Sequence, residues 1–566
     1  MVKIVPRPHR AELLMPAGSL EKLQIAILYG ADAVYLGTPD MSLRTKSDFS
    51  LEEVIEGVRF AHDHGKRAYL TLNLFSHNKD IAKLPLFIET IRAVRPDGVI
   101  IADPGIFNYV REQAPELELH ISTQANVCSW LSVDFWQKQG ASLCVLAREV
   151  TYDELCEIRE RCPDIKLEAF VHGAMCMTYS GRCLLSNFMA ERGANQGSCA
   201  NSCRWHYKVH MKLKDGTVKE LELTEENLGL FEFLLEEECR QGELMPIEED
   251  ERGSYILNSK DLCLMPRLDD YLKIGVDSLK VEGRNKSAYY AAVTARAYRQ
   301  AIDDWYKAPE DWSPEPYMEE LSTIPSRGYT LAFHDGRLRN HAHNYDHTKT
   351  FADYEFAGLV TELDQNGIHV AVKNRLEAGD VLELLPPGGL QAILIRLYSF
   401  EDARTGQKNE VVNAGQKPVI LLRWSLFDQE NIKRLQQALC PLTVIRKEKS
   451  LSQAEWDRLR LDQTARKIEL GHGSESLYEK QKDRLQSSLL VENGERIPKT
   501  PRIGTSGCCG RGCNGCMIFW HDPLYDKARK LLARKKQGEL FDRDMRDDLF
   551  LSEQDIPGTS LPASTP

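Results

Sequence analysis

From Glu12 to about Arg284 the chain alternates short apolar runs with amphipathic stretches, and no other feature limits its fold so tightly. The run ELLMPAG precedes SLEKLQIAILYGA, and DAVYLG precedes EEVIEGVRFAHDHG. RAYLTLN, PDGVIIADPG, ELHISTQAN, ASLCVLARE, KLEAFVHG and DSLKVEGR then follow, each ending in polar residues or glycine. Strand-length apolar runs separated by helix-period segments spell βαβ units and a parallel sheet. Roughly eight or nine such runs are enough to close a (β/α)8, TIM-like barrel. An open doubly wound sheet is the alternative, but no G-x-G-x-x-G follows the first run and no phosphate loop is present. The barrel is therefore expected. Barrels carry chemistry on the loops after their strands, where Asn73, Asp103, Gln124, Asn126, Arg148, Glu149, His172, Lys280, Glu282 and Arg284 fall.

The predicted barrel domain spans residues 1–316, interrupted near 210–253 by a stretch that reads as an acidic helical insertion. Beyond about Tyr317 the pattern changes to short alternating strands, with Asn366-Gly367 as a hairpin signal, which predicts a small β-barrel domain over 317–447. Residues 448–500, rich in Lys, Glu, Gln and Arg, read as a charged linker or helical arm. Residues 501–566 form a cysteine-rich tail with the basic run DKARKLLARKKQG. No window approaches the roughly 18 apolar residues of a spanning helix, and MVKIVPRPHR lacks the apolar core of a signal peptide. A cytoplasmic protein without a membrane partner is expected. Its 15 cysteines then sit in a reducing compartment, available to metals. A net charge of -12 argues against an overall basic coat for nucleic acid, while a local basic patch remains compatible with it.

Four cysteines stand at Cys176-x6-Cys183-x15-Cys199-x3-Cys203, just after His172-Gly173. Structural zinc prefers paired short knuckles, so this spacing favours an iron-sulfur cluster over zinc, against the plain reading of four buried thiols. A second group gathers Cys508, Cys509, Cys513 and Cys516. Cys509-x3-Cys513-x2-Cys516 matches the spacing of radical S-adenosylmethionine enzymes, but it follows a linker instead of opening a barrel. A closed four-thiolate site, zinc or a second cluster, is the more economical reading.

Six segments, ELLMPAG, DAVYLG, HGAMCMTYSGRC, GSCANSCRW, NSKDLC and KVEGR, stand in the order in which the collagenase-like unassigned peptidases carry them. Over roughly residues 11–440 the chain resembles that family. The family name records an early protease assignment, while its better-understood members hydroxylate tRNA uridine, ribosomal RNA cytidine or ubiquinone precursors without oxygen. Among these the chain looks most like the prephenate-dependent members that convert the wobble uridine of tRNA to 5-hydroxyuridine. The resemblance implies a [4Fe-4S] cluster on Cys176, Cys183, Cys199 and Cys263, with Cys203 competing for the fourth place. It also implies tRNA, prephenate and the iron-sulfur assembly machinery as partners.

Candidate chemistry follows from the residue types. Prephenate is a dicarboxylate, and Arg148, Lys280 and Arg284 are cations suited to carboxylates, although each has an ordinary ion-pair alternative with Glu149 or Glu282. Gln124 and Asn126 are placed to hydrogen-bond a flipped pyrimidine, or else to brace loops. His172 is a candidate acid or base, or a donor to a cluster sulfur, with a buried structural histidine as the alternative. Glu149 and Glu282 complete the candidate catalytic set. A peptidase would need a nucleophile with its base or a hydrolytic metal site. The sequence has no H-E-x-x-H and no G-x-S-x-G, and Cys176 with His172 is a weak dyad. A ribosomal RNA cytidine hydroxylase, a peptidase and a non-catalytic RNA-binding scaffold are the rival readings.

Overall fold

The computed structural model describes residues 7–37, 49–175, 260–336 and 352–449, positions 8, 74, 75 and 417 apart, together with the backbone of short strands between 210 and 255. Seven parallel strands come first: β1 (Glu12–Pro16), β2 (Ala33–Gly37), β3 (Arg67–Leu72), β4 (Gly98–Ile101), β5 (Glu118–Ile121), β6 (Leu143–Val145) and β7 (Lys166–Ala174). After β8 (Asp261–Cys263) the eighth parallel strand is β9 (Ser278–Val281), which pairs with both β7 and β1 and closes the barrel. The short β8 runs antiparallel beside the end of β7, and β10 (Tyr329–Thr330) continues it. The expected eight-stranded barrel is thus present.

Local signals explain where the helices start. Ser19 caps α1 (Leu20–Leu28), Ser50 and Glu53 form a capping box on α2 (Leu51–Asp63), and Thr151 does the same with Glu154 for α3 (Tyr152–Arg161). Such caps satisfy the orphan amides of a first helical turn. The long α4 (Ala288–Lys307) buries Tyr289, Val293, Tyr298 and Ile302. Outward-facing strand residues and helix faces form one large apolar core, while Leu14, Ala33, Tyr35, Tyr69 and Ile100 form a second inside the barrel. Period-two alternation sends neighbouring strand residues to opposite sides. Among the described residues no helix is long and apolar enough to cross a membrane.

Where the region expected as a helical insertion is described, it forms strands, an antiparallel pair of His210–Lys212 with Val218–Glu220 and a three-stranded sheet of Phe233–Glu236, Leu244–Asp250 and Gly253–Tyr255. Acidic composition marks exposure but carries no period, so it separates helix from hairpin poorly.

Beyond residue 352 an eight-stranded antiparallel sheet curls around its own core of Val360, Ile368, Leu384, Phe400, Leu422 and Ile445. Tyr354–Leu363 and Gly367–Val372 pair across the Asn366-Gly367 turn, where the Asp364 carboxylate accepts from both turn amides. Buried polar contacts anchor this sheet to the barrel domain, among them those of Tyr29 and Arg446. The Tyr29 hydroxyl donates to Leu385 O at 2.5 Å and accepts from Val444 N at 2.8 Å. Buried Arg446 pairs with Glu383 at 2.7 Å and Glu320 at 3.2 Å, and donates to Thr323 Oγ1 at 2.9 Å.

At the N-terminal end of the barrel interior, buried Glu12 accepts from the Tyr69 hydroxyl at 3.1 Å and pairs with Arg67. Burial pushes its carboxyl up from 4.5 to about 7, with Arg67 only partly opposing the rise. The native state therefore holds this proton more tightly than the unfolded chain. Its contribution is complete below 4.5 and declines as pH climbs toward about 7. In Glu12→Gln the unfolding free energy should fall less between about pH 5 and about pH 8 than in wild type, by up to about 3 kcal/mol in urea titrations. An unaltered pH profile would contradict the buried, protonated carboxyl.

Candidate active site at the barrel mouth

The barrel interior carries a buried ion pair on its closing seam. Glu168 of β7 is fully buried, accepting from Lys280 Nζ through Oε1 at 2.7 Å and from Ser278 Oγ through Oε2 at 2.7 Å. Register requires the meeting, because Glu168 pairs with Ser278 and Phe170 with Lys280 across the two strands. Lys280 Nζ also lies 4.5 Å from the Tyr35 ring centre and 5.6 Å from that of Phe170.

Two arginines join it from the rim. The Arg148 guanidinium lies 4.2 Å from the Phe170 ring centre, and that of Arg284 lies 5.8 Å from the Tyr35 ring centre. Arg284 Nη1 also donates to Thr71 Oγ1 at 3.3 Å. Burial lowers the Lys280 ammonium below its usual range, Glu168 opposes that, and the charges of Arg284 and Arg148 lower it further. Three cations thus meet the Glu168 carboxylate in a small region walled by aromatic rings, where a low dielectric strengthens their action on an anion. That arrangement suits a dianion, and guanidinium forks match carboxylates.

Glycines hold this rim close. A Cβ on Gly18, in the PAG turn after β1, would lie 1.9 Å from Arg284 O. Gly173 has φ +123°, and a Cβ there would lie 2.5 Å from Glu282 O. Only glycine permits both approaches, which press the turn after β1 and the end of β7 against the segment that carries Glu282 and Arg284.

A polar arc faces the cations across the mouth. Asn73 Nδ2 donates to Ser122 Oγ at 3.4 Å and to Gln124 Oε1 at 3.3 Å, and Ser122 Oγ donates to Gln124. Asn126 takes a left-handed conformation, φ 58°, after the turn Thr123–Ala125. Among the described residues, Asn73 Oδ1, Thr123 Oγ1 and Asn126 Oδ1 are buried without a hydrogen-bond partner. Buried polar atoms of this kind cost free energy unless something satisfies them, so these atoms offer hydrogen bonds to a ligand.

Several expected site residues lie elsewhere. Asp103 is a helix cap, accepting from Gly105 N at 2.8 Å and Ile106 N at 3.0 Å. Glu149 and Glu282 are half-buried on the rim, and Glu282 O accepts from the Tyr290 hydroxyl at 2.8 Å. Strict alternation would put His172 inside the barrel with Glu168 and Phe170, but the register with β9 shifts so that Val281 pairs with His172. That β-bulge makes Val171 an extra residue and turns His172 outward. There it packs among Tyr290, Tyr298 and Tyr329, with the Tyr298 hydroxyl 3.4 Å from Nδ1. Burial, helped by the Lys286 charge, pushes its imidazole down to about 3, so it is neutral near pH 7.

Cys263 lies opposite His172 across the β7–β8 pairing and is fully buried, its Sγ 3.7 Å from Met318 Sδ and 4.0 Å from the Tyr298 hydroxyl. It faces α4, away from the cationic mouth. Burial pushes its thiol up to about 12, so it stays protonated unless a metal binds it. Cys176, Cys183, Cys199, Cys203 and the group Cys508, Cys509, Cys513 and Cys516 lie outside the described residues. Among the described residues no three His, Cys, Asp or Glu side chains are grouped to hold a metal ion.

Sequence reasoning missed Glu168, Tyr35, Phe170, Thr71 and Ser122. Glu168 had left a signal, a lone acid in the apolar run KLEAFVHG. Such a charge in a parallel barrel strand must find a partner across the interior.

Fold and mouth together define a (β/α)8-barrel protein whose C-terminal face gathers Arg148, Lys280 and Arg284. The sequence profile of Peptidase family U32 matches residues 18–344, and that of the Peptidase family U32 C-terminal domain matches residues 352–433. The chain belongs to family U32. It is 43% identical over 404 residues to the tRNA hydroxylation protein P of Escherichia coli, covering 67% of this chain and 87% of that protein. It is 30% identical over 388 residues to the 23S rRNA 5-hydroxycytidine C2501 synthase of the same organism, covering 67% and 53%. The solved structure of the U32 peptidase Mk0906 aligns with 49% of this chain and 96% of its own, at 14% identity and a TM-score of 0.30.

The seam is testable apart from any activity. Glu168→Leu leaves a buried ammonium unpaired and should cost about 3–5 kcal/mol in denaturant unfolding, as should Lys280→Met for the stranded carboxylate. The double variant should cost well under the sum of the two. Additive losses would show that the pair does not interact.

Proposed function

We propose that this chain is a tRNA hydroxylase that converts the wobble uridine to 5-hydroxyuridine, with prephenate as hydroxyl source. The carrying observation is the mouth itself, with Lys280, Arg148 and Arg284 gathered around Tyr35 and Phe170. The likeness to the tRNA hydroxylation protein P of Escherichia coli supports the choice of tRNA. The likeness to the 23S rRNA 5-hydroxycytidine C2501 synthase carries the alternative reading, at lower identity and over a smaller share of that protein's length.

In this reading the cations hold the two carboxylates of prephenate, and the rings of Tyr35 and Phe170 exclude water from the bound ring. Asn73, Gln124 and Asn126 meet the edge of a uracil taken out of its stack. Glu168 keeps Lys280 charged against its desolvation, so the lysine remains an anion ligand. A [4Fe-4S] cluster on Cys176, Cys183, Cys199 and Cys263, with Cys203 as the rival fourth ligand, is part of the proposal, and when bound it supplies electron-transfer chemistry. The C-terminal cysteines are proposed to hold a second cluster or zinc.

Protein purified without oxygen, incubated with undermodified tRNA and prephenate, should yield 5-hydroxyuridine on nucleoside mass spectrometry. Arg148→Ala and Arg284→Ala should each raise KM for prephenate about ten- to hundred-fold, the loss of one charge-assisted contact, with a smaller change in kcat. An unchanged KM in both would remove prephenate from the mouth. Iron and sulfide should be lost in Cys176→Ala and in Cys263→Ala but kept in Cys203→Ala. The reverse for the last two would give the fourth place to Cys203.

A further inference from the structure

The C-terminal sheet carries a cleft that the barrel chemistry leaves unused. It is an open cleft of about 330 Å³ between the strand Ile393–Arg396 and the helix Gln429–Ala438. Its floor is apolar, formed by Ile393, Leu397, Leu422 and Leu435. At its edge Tyr398 is 66% exposed, the most exposed large hydrophobic side chain among the described residues, and Leu426 is also exposed.

Charge around the cleft is one-sided. Arg396 and Arg434 line it, both exposed, and neither has a hydrogen-bond partner or ion pair among the described residues. The acid in the lining, Asp428, is committed as the cap of the helix, accepting from Asn431 N and Asn431 Nδ2, each at 2.8 Å. Arg423, on the neighbouring strand, is held by Glu401. In a chain of net charge -12, two uncommitted guanidiniums beside an exposed aromatic ring form a local exception.

We propose that this cleft docks a single-stranded stretch of tRNA, one base stacking on Tyr398 while Arg396 and Arg434 contact flanking phosphates. Every base presents a π-face and every nucleotide a phosphate, so an aromatic platform between arginines recognises unpaired RNA without reading its sequence. The inference rests on the tRNA reading and adds a second contact point for the same substrate, outside the barrel.

Full-length protein and fluorescently labelled tRNA, followed by anisotropy across a salt series, test it. Tyr398→Ala should weaken binding about 5- to 100-fold, as the loss of one stacked base does. Arg396→Ala with Arg434→Ala should lower the slope of log affinity against log salt by about 1.5. Prephenate affinity should be unaltered in these variants, and ultraviolet crosslinking of bound tRNA should mark the peptide containing Tyr398. Wild-type binding with affinity and slope unchanged in the variants would overturn the cleft and leave the tRNA reading standing. No binding of tRNA by wild type would overturn both.

Discussion

The buried contact of Glu168 with Lys280 and Ser278 is the constraint on which the rest of this structure depends. It lies on the seam where β7 meets β9, the strand that returns to β1 and completes the barrel. A charge buried that deeply is tolerable only when paired and fully hydrogen-bonded, and both carboxylate oxygens are occupied. The same contact fixes Lys280 between Tyr35 and Phe170, so closing the barrel also places the central cation of the mouth.

The neighbouring turns extend this arrangement. Gly18 and Gly173 press the turn after β1 and the end of β7 against the segment carrying Glu282 and Arg284, and Arg284 in turn reaches Thr71 on β3. The cationic mouth is therefore assembled from β2, β3, β6, β7 and β9, which only a closed barrel brings together. After β3 and β5, the buried Asn73, Thr123 and Asn126 atoms without partners among the described residues have hydrogen-bonding capacity to offer.

Much of this was legible from the chain alone. The apolar runs give the eight barrel strands because a parallel strand covered on both faces must be apolar, and a residue at the end of such a run falls on the rim. Arg148, Lys280, Arg284, Asn73 and Gln124 were found that way. Two kinds of feature were not legible. Period-two reading assumes unbroken register, so the bulge at Val171 that turns His172 toward Tyr290 and Tyr298 left no mark in KLEAFVHG. The chain alone also left no mark of the antiparallel pairing of β8, which sends the Cys263 thiol toward Tyr298 and Met318. The insertion near 210–253 was read as helix from its composition, which says where water is but not how the backbone hydrogen-bonds.

The most direct test of the central claim is the affinity of the purified protein for prephenate, measured by calorimetry beside phenylpyruvate, an analogue with a single carboxylate. A mouth where Lys280, Arg148 and Arg284 converge should bind the dicarboxylate at least tenfold more tightly, a preference that shrinks as salt rises. Equal binding of the two at low salt, or no binding of prephenate, would contradict the account.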